Sequence, residues 1–289
     1  MNSPDGFVIV DKPKDLTSHD VVNKLRKFFN TRSIGHAGTL DPMATGVLVL
    51  GVNKATRLLT YCVGDDKTYE ATIRLGEATD TDDATGEIIQ KTSTKELNQG
   101  LIQSAKEKLT GEIEQIPSTY SAIKIKGKKA YELAREGKEV ELNPRKVTIK
   151  KFEIQKTTIN EDTIDLEVII ECTSGTYIRS LARDLGKDLQ VSGHLTALRR
   201  TRSGKFSEKD FTDLANPKLI PLTKVAKQLF STIEITESEA KDLTHGRKIS
   251  KSTQNPQLQA AIDPKGEVIA LVQLEADKIA PKVVFGAAN

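Results

Sequence analysis

A twelve-residue segment, residues 35–46, is the part of the sequence that most restricts how the chain can fold. It reads Gly-His-Ala-Gly-Thr-Leu-Asp-Pro-Met-Ala-Thr-Gly, and the apolar run Val-Leu-Val-Leu follows it directly. Glycine permits tight turns, and Pro42 restricts the preceding residue to extended or turn geometry. We therefore predict a fixed loop that presents the Asp41 carboxylate and is anchored at its far end by a buried strand.

Other interpretations of this segment can be tested against known motifs. An Asp-Pro pair often starts a plain turn, so Asp41 and Pro42 alone do not establish a site. Gly46 and Gly51 have P-loop spacing, but Val-Asn stands where the loop would need lysine and a hydroxyl residue to hold phosphate and magnesium. No Gly-x-Ser-x-Gly sequence surrounds the segment either. Nucleotide hydrolysis therefore has no support in the sequence.

The segment does resemble the signature of the TruB family of tRNA pseudouridine synthases. The family sequence, Gly-His-x-Gly-x-Leu-Asp-Pro-x-Ala-x-Gly, carries the catalytic aspartate, and every fixed position is matched from residue 35 to residue 46. The resemblance implies that Asp41 is the catalytic nucleophile and that His36 stabilises RNA opened at the site. It also places Lys12, in a Lys-Pro pair, beside the active site. A solvated lysine at the end of a strand is the alternative for Lys12.

A predicted strand over residues 68–75 carries the next candidate, Tyr69. Apolar and polar residues alternate there, which places Tyr69 on the apolar face, where a core tyrosine is the ordinary interpretation. The tripeptide Lys-Thr-Tyr at residues 67–69 resembles the second family motif. The tyrosine of that motif stacks on the target base and is a candidate for proton transfer. The resemblance therefore assigns Tyr69 to the catalytic site.

The most acidic stretch, residues 79–86, invites a calcium-binding interpretation. An EF-hand loop counted from Asp80 would need glycine at its sixth position, where Thr85 stands instead. In the resemblance, Asp80 and Asp83 match frequent carboxylates that may be carried over as active-site supports, and Thr85 replaces a further aspartate of many members. A hydrolase built on these carboxylates lacks a partnering histidine, so this candidate ranks last.

Residues 115–137 combine lysines with tyrosines around a glycine. Lys124 and Lys126 precede further basic residues, and Tyr120 and Tyr131 lie nearby in the sequence. Such a segment suits a flexible clamp on an RNA backbone, and a solvated hairpin is the even alternative. Residues 116–124 resemble the family block that opens an RNA-gripping thumb. We therefore expect an RNA-binding thumb at about residues 115–145.

Two later motifs complete the predicted site. The sequence Gly-Thr-Tyr-Ile-Arg at residues 175–179 matches a family motif in full. The arginine of that motif pairs with the catalytic aspartate, so the resemblance pairs Arg179 with Asp41, which would keep the carboxylate ionised and oriented. The resemblance assigns a further set of residues to the substrate pocket or to RNA: Tyr177, Ile178, Leu198, Arg199 and Arg200. As bare sequence, the arginines near residue 200 are a modest nucleic-acid signal.

Hydrophobic spacing predicts the remaining elements. Strands are expected over residues 6–12, 146–154, 163–172, 258–262, 268–274 and 283–285. A helix capped by Thr17 or Ser18 would place Val21, Val22, Leu25, Phe28 and Phe29 on one face. Further helices are predicted over residues 54–62 and after residue 178, and over residues 95–109 with the apolar face Leu97, Leu101, Ala105 and Leu109.

Composition limits the class of protein. The chain has 289 residues, 37% apolar and 29% charged, so we expect a soluble globular protein with one large and one small domain. A net charge of +3 is too small to identify a nucleic-acid partner. Cys62, Cys172 and four scattered histidines lack metal-ligand spacing, so no metal is predicted. No signal peptide or membrane span is recognisable, which predicts a cytoplasmic protein without membrane contact.

The order of predicted elements favours an α+β fold with a largely antiparallel sheet, because strands and helices do not follow βαβ alternation. The resemblance covers residues 5–215 and implies the pseudouridine synthase fold, a mixed sheet flanked by helices. We place the catalytic domain at residues 1–230. The pattern then starts again with a capping box at Thr236 and Glu239. Residues 231–289 loosely resemble a small, β-rich, PUA-like RNA-binding domain.

The resemblance implies isomerisation of uridine 55 in the T loop of tRNA to pseudouridine. The target base would leave its stack, and Asp41 would attack the nucleoside covalently, at the base or at the sugar. We expect the T arm of tRNA as partner, a monomer, and no metal or small-molecule cofactor. The alternative is a tRNA-binding or folding module with little or no catalysis. Tyr69 and Arg179 argue against it, since affinity alone does not need a buried carboxylate near phosphates.

Overall fold

The computed structural model describes residues 4–121, 124–125, 127–130, 133, 136, 142–251, 253 and 255–286. The α-helices in this part of the chain are α1 (Ser18–Phe28), α2 (Leu59–Val63), α3 (Gln99–Lys108), α4 (Ile178–Asp188), α5 (Leu222–Leu229) and α6 (Glu237–Thr244). The strands of the first half are β1 (Gly6–Lys12), β2 (Ile34–Ala37), β3 (Thr45–Val52), β4 (Lys67–Leu75), β5 (Glu77–Thr79), β6 (Ile88–Lys91), β7 (Gly111–Gln115), β8 (Lys124–Ile125) and β9 (Lys128–Lys129). Those of the second half are β10 (Arg145–Ile159), β11 (Ile164–Cys172), β12 (Gly193–Ser203), β13 (Phe206–Ser207), β14 (Ile220–Pro221), β15 (Ser231–Glu234), β16 (Gln259–Ile262), β17 (Val268–Glu275) and β18 (Lys278–Val284).

A ten-stranded sheet forms the centre of the molecule. Its strands run in the order β14-β1-β3-β12-β4-β11-β10-β7, with β2 paired to β3 and β13 paired to β12. Among these described strands, every pairing is antiparallel except the one between β3 and β12. The predicted α+β class with a largely antiparallel mixed sheet is therefore confirmed.

The register of the sheet places three distant motifs side by side. Tyr69 of β4 lies opposite Ile170 of β11 on one side and opposite Arg200 of β12 on the other. Arg200 in turn lies opposite Gly46 at the start of β3. An added Cβ at Gly46, whose φ is +100°, would lie 2.2 Å from the Arg200 carbonyl oxygen, so this approach requires glycine. The end of the Asp41 loop is thereby fixed to the central strands.

Helices cover the sheet on both faces. Helices α1 and α4 pack their apolar residues, such as Val21, Leu25 and Leu181, against one face. Helix α5 and Leu58 pack on the other, so β3 is buried on both sides, as its unbroken apolar sequence predicts. Thr17 caps α1 in a capping box with Asp20. Phe28, predicted on the apolar face of α1, is instead 49% exposed because the helix ends there and its last turn extends beyond the sheet.

Two predicted helices differ from those observed. Helix α3 begins only at Gln99, where Asn98 caps it, and its buried residues are Ile102 and Ala105, whereas Leu101 is 48% exposed. The predicted face used steps of four residues, which drift from a helix of 3.6 residues per turn, so the actual stripe combines steps of three and four. The helix predicted over residues 54–62 consists of a 3₁₀-helix, Asn53–Leu58, followed by the short α2.

The C-terminal region forms a separate four-stranded sheet in the order β15-β16-β17-β18. The capping box of Thr236 and Glu239 begins α6, as predicted. Strand β18 begins at Lys278, five residues before the predicted start. Pro281 concealed this strand in the sequence, and it is tolerated because β18 lies at the edge of the sheet. The division of the chain into domains at residues 230 and 231 stays a prediction.

Candidate active site

Asp41 lies in the loop between β2 and β3, and the N-terminal segment of the chain holds the backbone of this loop. Ser18 Oγ donates a hydrogen bond to the Leu40 carbonyl at 3.2 Å and accepts one from the Leu40 amide at 2.9 Å. Lys12 Nζ donates to the Pro42 carbonyl at 3.2 Å. The residues on both sides of Asp41 are therefore held before any substrate binds, which favours a preorganised carboxylate.

Arg200 holds the two ends of the same loop from within the protein. Its side chain is 1% exposed, Nε donates to the Val47 carbonyl at 2.8 Å, and Nη2 donates to the Gly38 carbonyl at 3.0 Å. The guanidinium is buried and bonds to backbone oxygens, although Arg200 also lines the cavity in front of Asp41, so its contact with substrate or RNA stays a prediction. Arg200 belongs to the support of the loop.

Arg179 makes a two-point contact with Asp41. Nε lies 2.9 Å from Asp41 Oδ2, and Nη2 donates to Asp41 Oδ1 at 3.2 Å. The Arg179 side chain is 5% exposed, whereas that of Asp41 keeps 34% exposure. A planar guanidinium that binds both carboxylate oxygens fixes the orientation of the carboxylate as well as its charge. The carboxylate of Asp41 is thus oriented from behind and open in front.

The remaining donors of Arg179 reach residues 79–86, which we call the acidic loop, and the segment before the predicted thumb. Nη1 lies 3.6 Å from Asp83 Oδ2 and donates to the Thr81 carbonyl at 3.0 Å, and Nη2 donates to the Tyr120 carbonyl at 2.8 Å. Asp83 also accepts a hydrogen bond from the Thr85 hydroxyl at 2.5 Å. Asp83 is therefore a second counter-charge for Arg179.

Asp80, the other carboxylate suggested as a support, stands apart from this group. It is exposed and accepts a hydrogen bond from the Glu87 amide at 2.9 Å within its own turn. Among the described residues, its hydrogen bond is with Glu87 and not with Asp41 or Arg179. Asp80 therefore stabilises the acidic loop and does not support the site directly.

Burial and charge act in opposite directions on the Asp41 carboxyl. Burial raises the pKa of Asp41 above its ordinary value, and the nearby charge of Arg179 lowers it. The carboxylate of Asp83 raises the pKa of Asp41 further. Burial outweighs the charge of Arg179, so the carboxylate is less well solvated than one at the surface, which suits a nucleophile.

A cavity of about 270 Å³ opens in front of Asp41. The predicted pocket residues line it together: Tyr69, Tyr177, Ile178, Arg179 and Leu198. Burial raises the pKa of both Tyr69 and Tyr177, so both phenols stay protonated at neutral pH. The walls thus combine apolar side chains with a few polar groups, the usual character of a ligand pocket.

A second cavity, of about 680 Å³, adjoins the first and shares Asp41 with it. His36 lies in its wall with His19 of α1. The Nδ1 atom of His36 is buried and makes no hydrogen bond to any described residue, and burial lowers the pKa of the imidazole. His36 is therefore a neutral ring with a free polar atom beside the carboxylate.

Two further predicted RNA contacts are not supported by the structure. Lys12 is fully buried, and Nζ donates to the carbonyls of Pro13, Leu16 and Pro42, so this lysine supports the loop. Arg199 is part-exposed, but its guanidinium is already bound to the carboxylates of Asp11 and Glu208, at 2.9 and 2.6 Å. Both cations are already bound to oxygens of the protein, and their contacts with RNA stay predictions.

Sequence reasoning missed several residues that shape this region. Ser18, Lys67 and Gln115 are buried polar residues that bond to backbone groups, and Lys67 also lines the first cavity. Only Arg183 carried a signal, since it follows Arg179 by four residues and must share its helix face. The predicted thumb contacts cannot be placed: Lys126 and the side chain of Lys124 lie outside the described residues.

Comparison with known families identifies the chain. Residues 26–178 match the family described as TruB family pseudouridylate synthase (N terminal domain). Residues 179–233 match tRNA pseudouridylate synthase B C-terminal domain, and residues 230–286 match tRNA Pseudouridine synthase II, C terminal. The chain belongs to the TruB family. It is a pseudouridine synthase, an isomerase.

Curated TruB relatives match over almost the whole chain. The tRNA pseudouridine synthase B of Corynebacterium glutamicum (strain R) is 47% identical, over 97% of this chain and 97% of the relative. The protein of the same name from Leifsonia xyli subsp. xyli (strain CTCB07) is 48% identical, over 98% of this chain and 97% of the relative. A similar TruB chain of Mycobacterium bovis (strain BCG / Pasteur 1173P2) is 46% identical, over 94% and 93%.

Solved structures confirm the TruB fold. A chain of a Cbf5-Nop10-Gar1 complex superposes with a TM-score of 0.69 at 26% identity, covering 98% of this chain and 85% of that one. A chain of an H/ACA RNP bound to a substrate RNA has a TM-score of 0.68 at 24% identity, covering 98% and 86%. Among the described residues, no helix is long and apolar enough to cross a membrane, and no group of metal-binding side chains is assembled.

Proposed function

We propose that this chain isomerises uridine 55 in the T loop of tRNA to pseudouridine, with Asp41 as the covalent nucleophile. The relatives named tRNA pseudouridine synthase B support tRNA as the substrate. The observation that carries the chemistry is the two-point contact of Arg179 with Asp41 at the wall of a base-sized cavity. Arg179 orients a carboxylate whose other side faces the space that a substrate would fill.

The two adjoining cavities would bind different parts of the RNA. A uridine in an RNA loop must leave its stack before a carboxylate can reach it. The flipped base would enter the smaller cavity, where Tyr69 stacks on it and Ile178 and Leu198 enclose it. The RNA strand would pass through the larger cavity, where the neutral ring of His36 lies in the wall.

The isomerisation replaces the bond between the sugar C1′ and N1 of the base with a bond between C1′ and C5. Asp41 attacks the nucleoside covalently, at the base or at the sugar, and the bond between C1′ and N1 breaks. The base then rotates and rejoins the sugar through C5. As the new bond forms, the bond to Asp41 breaks, C5 loses a proton and N1 gains one, and Tyr69, which lines the cavity, is the candidate for relaying that proton. No metal or organic cofactor is needed for these steps.

The rest of the proposal concerns the RNA and the state of the protein. We propose that the T arm is gripped by a thumb at about residues 115–145 and by a PUA-like domain at residues 231–289. The C-terminal sheet and its match to a TruB C-terminal family support the second contact. We further propose that the enzyme acts as a monomer in the cytoplasm.

Asp41→Asn tests this function directly. The substitution removes the nucleophile and keeps nearly the same volume, so the folded protein and its tRNA affinity should persist. With a tRNA transcript tritiated at uridine C5, we expect tritium release to fall to background, a loss of at least about 10³-fold.

Asp162→Asn is the matched control for Asp41→Asn. Asp162 is exposed in the turn between β10 and β11, so the same chemical change there should leave release normal. Turnover in Asp41→Asn, after mass spectrometry has excluded deamidation to Asp, would refute the nucleophile. A wild type that binds tRNA but releases no tritium would instead support a pure binding module.

A further inference from the structure

We propose that Arg183 is a positioning residue that couples the segment leading into the thumb to the Asp41–Arg179 pair. This inference rests on the proposed function, because its effect is measured as pseudouridine formation. We call residues 115–120 the thumb root. Arg183 lines neither cavity, and its hydrogen bonds go to Asp82, Ile116 and Asp184, so its effect on the reaction must pass through the groups that it holds.

Arg183 and Arg179 lie one turn apart on α4 and point in the same direction. Residues four apart on a helix are neighbours on one face. Asp184 receives a hydrogen bond from Arg183 Nε at 3.0 Å, which orients the guanidinium. The two arginines therefore form a short ladder that faces the acidic loop and the thumb root.

Both arginines bind the acidic loop at adjacent residues. Arg179 contacts Thr81 through its carbonyl and Asp83 through its carboxylate. Arg183 Nη1 donates to the carboxylate of Asp82, between them, at 3.2 Å. Asp82 has a φ of +61°, an uncommon conformation for a non-glycine residue that the surroundings must maintain.

The same two arginines bind the thumb root at both ends. Arg183 Nη2 donates to the Ile116 carbonyl at 2.7 Å, and Arg179 Nη2 donates to the Tyr120 carbonyl at 2.8 Å. Gln115 adds a third connection, with hydrogen bonds of 2.8 and 3.0 Å to the backbone of Tyr177, the residue before α4. A displacement of the thumb root relative to α4 therefore changes the contacts of Arg179, and Arg179 orients Asp41.

The position of Arg183 separates this role from two simpler ones. Its side chain is 32% exposed and its partner Asp82 is 15% exposed, so the ion pair should contribute little to global stability. Each of the three guanidinium nitrogens already bonds to a protein oxygen, which leaves at most two of the five N–H groups for a phosphate. We therefore assign Arg183 the role of fixing the distances between the thumb root, the acidic loop and α4.

The test compares Arg183→Gln with Arg74→Gln in single-turnover assays at saturating tRNA. Arg74 is 33% exposed and pairs with Asp165 in the sheet, away from the two cavities. Arg74→Gln therefore removes an equally exposed arginine–carboxylate pair. We expect Arg183→Gln to lower the single-turnover rate constant about tenfold, since small displacements at a reacting centre cost one to two orders of magnitude. The Kd for tRNA should change less than twofold, and Arg183→Lys, which can still pair with Asp82, should recover part of the rate.

Asp82→Asn provides an independent arm, since asparagine tolerates the left-handed backbone. It should lower the rate in the same direction, and the double variant Arg183→Gln/Asp82→Asn should fall no further than Arg183→Gln alone. Equal rates in Arg183→Gln and Arg74→Gln would overturn the inference, as would a weakened Kd with a normal saturating rate. An inactive wild type would contradict the proposed function itself, whereas an active wild type with an unaffected Arg183→Gln contradicts only the coupling.

Discussion

Two buried cations in this protein bond to backbone carbonyls, whereas buried charges usually pair with opposite charges. Lys12 and Arg200 are both fully buried, yet the hydrogen bonds described for them go to backbone carbonyls of the Asp41 loop and its neighbours. Burial lowers the pKa of Lys12 to about 8. Carbonyl oxygens compensate a buried cation less completely than a carboxylate does, so these residues stabilise the geometry of the loop at some cost in stability.

The stability of the protein should therefore depend on pH through Lys12. Between pH 8 and the ordinary lysine pKa of 10.5, the unfolded chain keeps the Lys12 proton and the folded chain does not. Stability contributed at this position thus rises with pH across that window. Compared with Lys12→Met, the wild type should gain on the order of 2 kcal/mol between pH 7 and pH 10 in urea unfolding. Parallel pH profiles for the two proteins would contradict the lowered pKa.

At the scale of elements, the site depends on how closely β3 approaches β12. The Asp41 loop enters β3 at Gly46, beside Arg200 of β12, and this is the parallel pair in the central sheet. Antiparallel hairpins elsewhere in the sheet set their own register through short turns. The β3–β12 pair has no such turn, so the close contact at Gly46 and the bonds of Arg200 must set its position.

Gly46→Ala should separate the two strands. The added Cβ would lie 2.2 Å from the Arg200 carbonyl oxygen, in addition to the strain of a φ of +100°. We expect a loss of about 3 kcal/mol in the free energy of unfolding and a lower single-turnover rate. Gly266→Ala is the matched control, because its φ is +84° with open space around the added Cβ, so only backbone strain of about 1 kcal/mol applies. Equal losses in the two variants would show that the approach of the strands is not limiting.

At the scale of the whole molecule, the N-terminal strand and the C-terminal sheet share one apolar cluster. Phe7 and Ile9 of β1 belong to it, together with Val225 of α5, Leu271 of β17 and Phe285. All five side chains are at most 2% exposed. The proposed boundary at residues 230 and 231 therefore divides the chain where a continuous core crosses it, and the two parts should depend on each other for stability.

A chain that ends at residue 230 should be less stable than the full protein. Removal of the C-terminal sheet exposes one face of α5 and of β1 to water, and apolar burial contributes roughly 25 cal/mol per Å². We expect the midpoint of thermal unfolding to fall by more than about 5 °C, with binding of a hydrophobic dye below that midpoint. Phe285→Ala in the full chain should reproduce part of the loss, about 3 kcal/mol. A truncated chain with an unchanged midpoint would show an independent large domain.

Local signals in the sequence predicted much of this structure. Alternation in β4 correctly placed Tyr69 on the buried face, the capping box at Thr236 marked one helix start, and Thr17, one of two candidate caps, marked another. These signals are readable because each depends on residues only two to four positions apart. The motif resemblance also collected Asp41, Tyr69, Arg179 and Leu198, which the structure brings to one cavity.

The partners of the charged side chains could not be predicted in the same way, because many of them are distant in sequence. Arg199 and Arg200 are identical in type and adjacent in sequence, yet one is part-exposed between two carboxylates and the other is buried under the loop. Alternation predicts that their side chains point in opposite directions, but it does not reveal what each meets there. The sequence likewise could not show how Lys12 is held, since its three carbonyl partners are defined only once the loop has folded against β1.

The parallel pair of β3 and β12 also determines when the catalytic centre can exist during synthesis of the chain. Arg200 follows Val47, its partner, by 153 residues, and Arg179 follows Asp41 by 138. A ribosome therefore releases the loop long before the arginines that orient it, and β4, which pairs with β12 along its whole length, must wait with one edge unpaired. A nascent chain shorter than about 200 residues cannot form a complete catalytic centre. The unpaired edge of β4 instead makes the nascent chain a client for chaperones until β12 is complete.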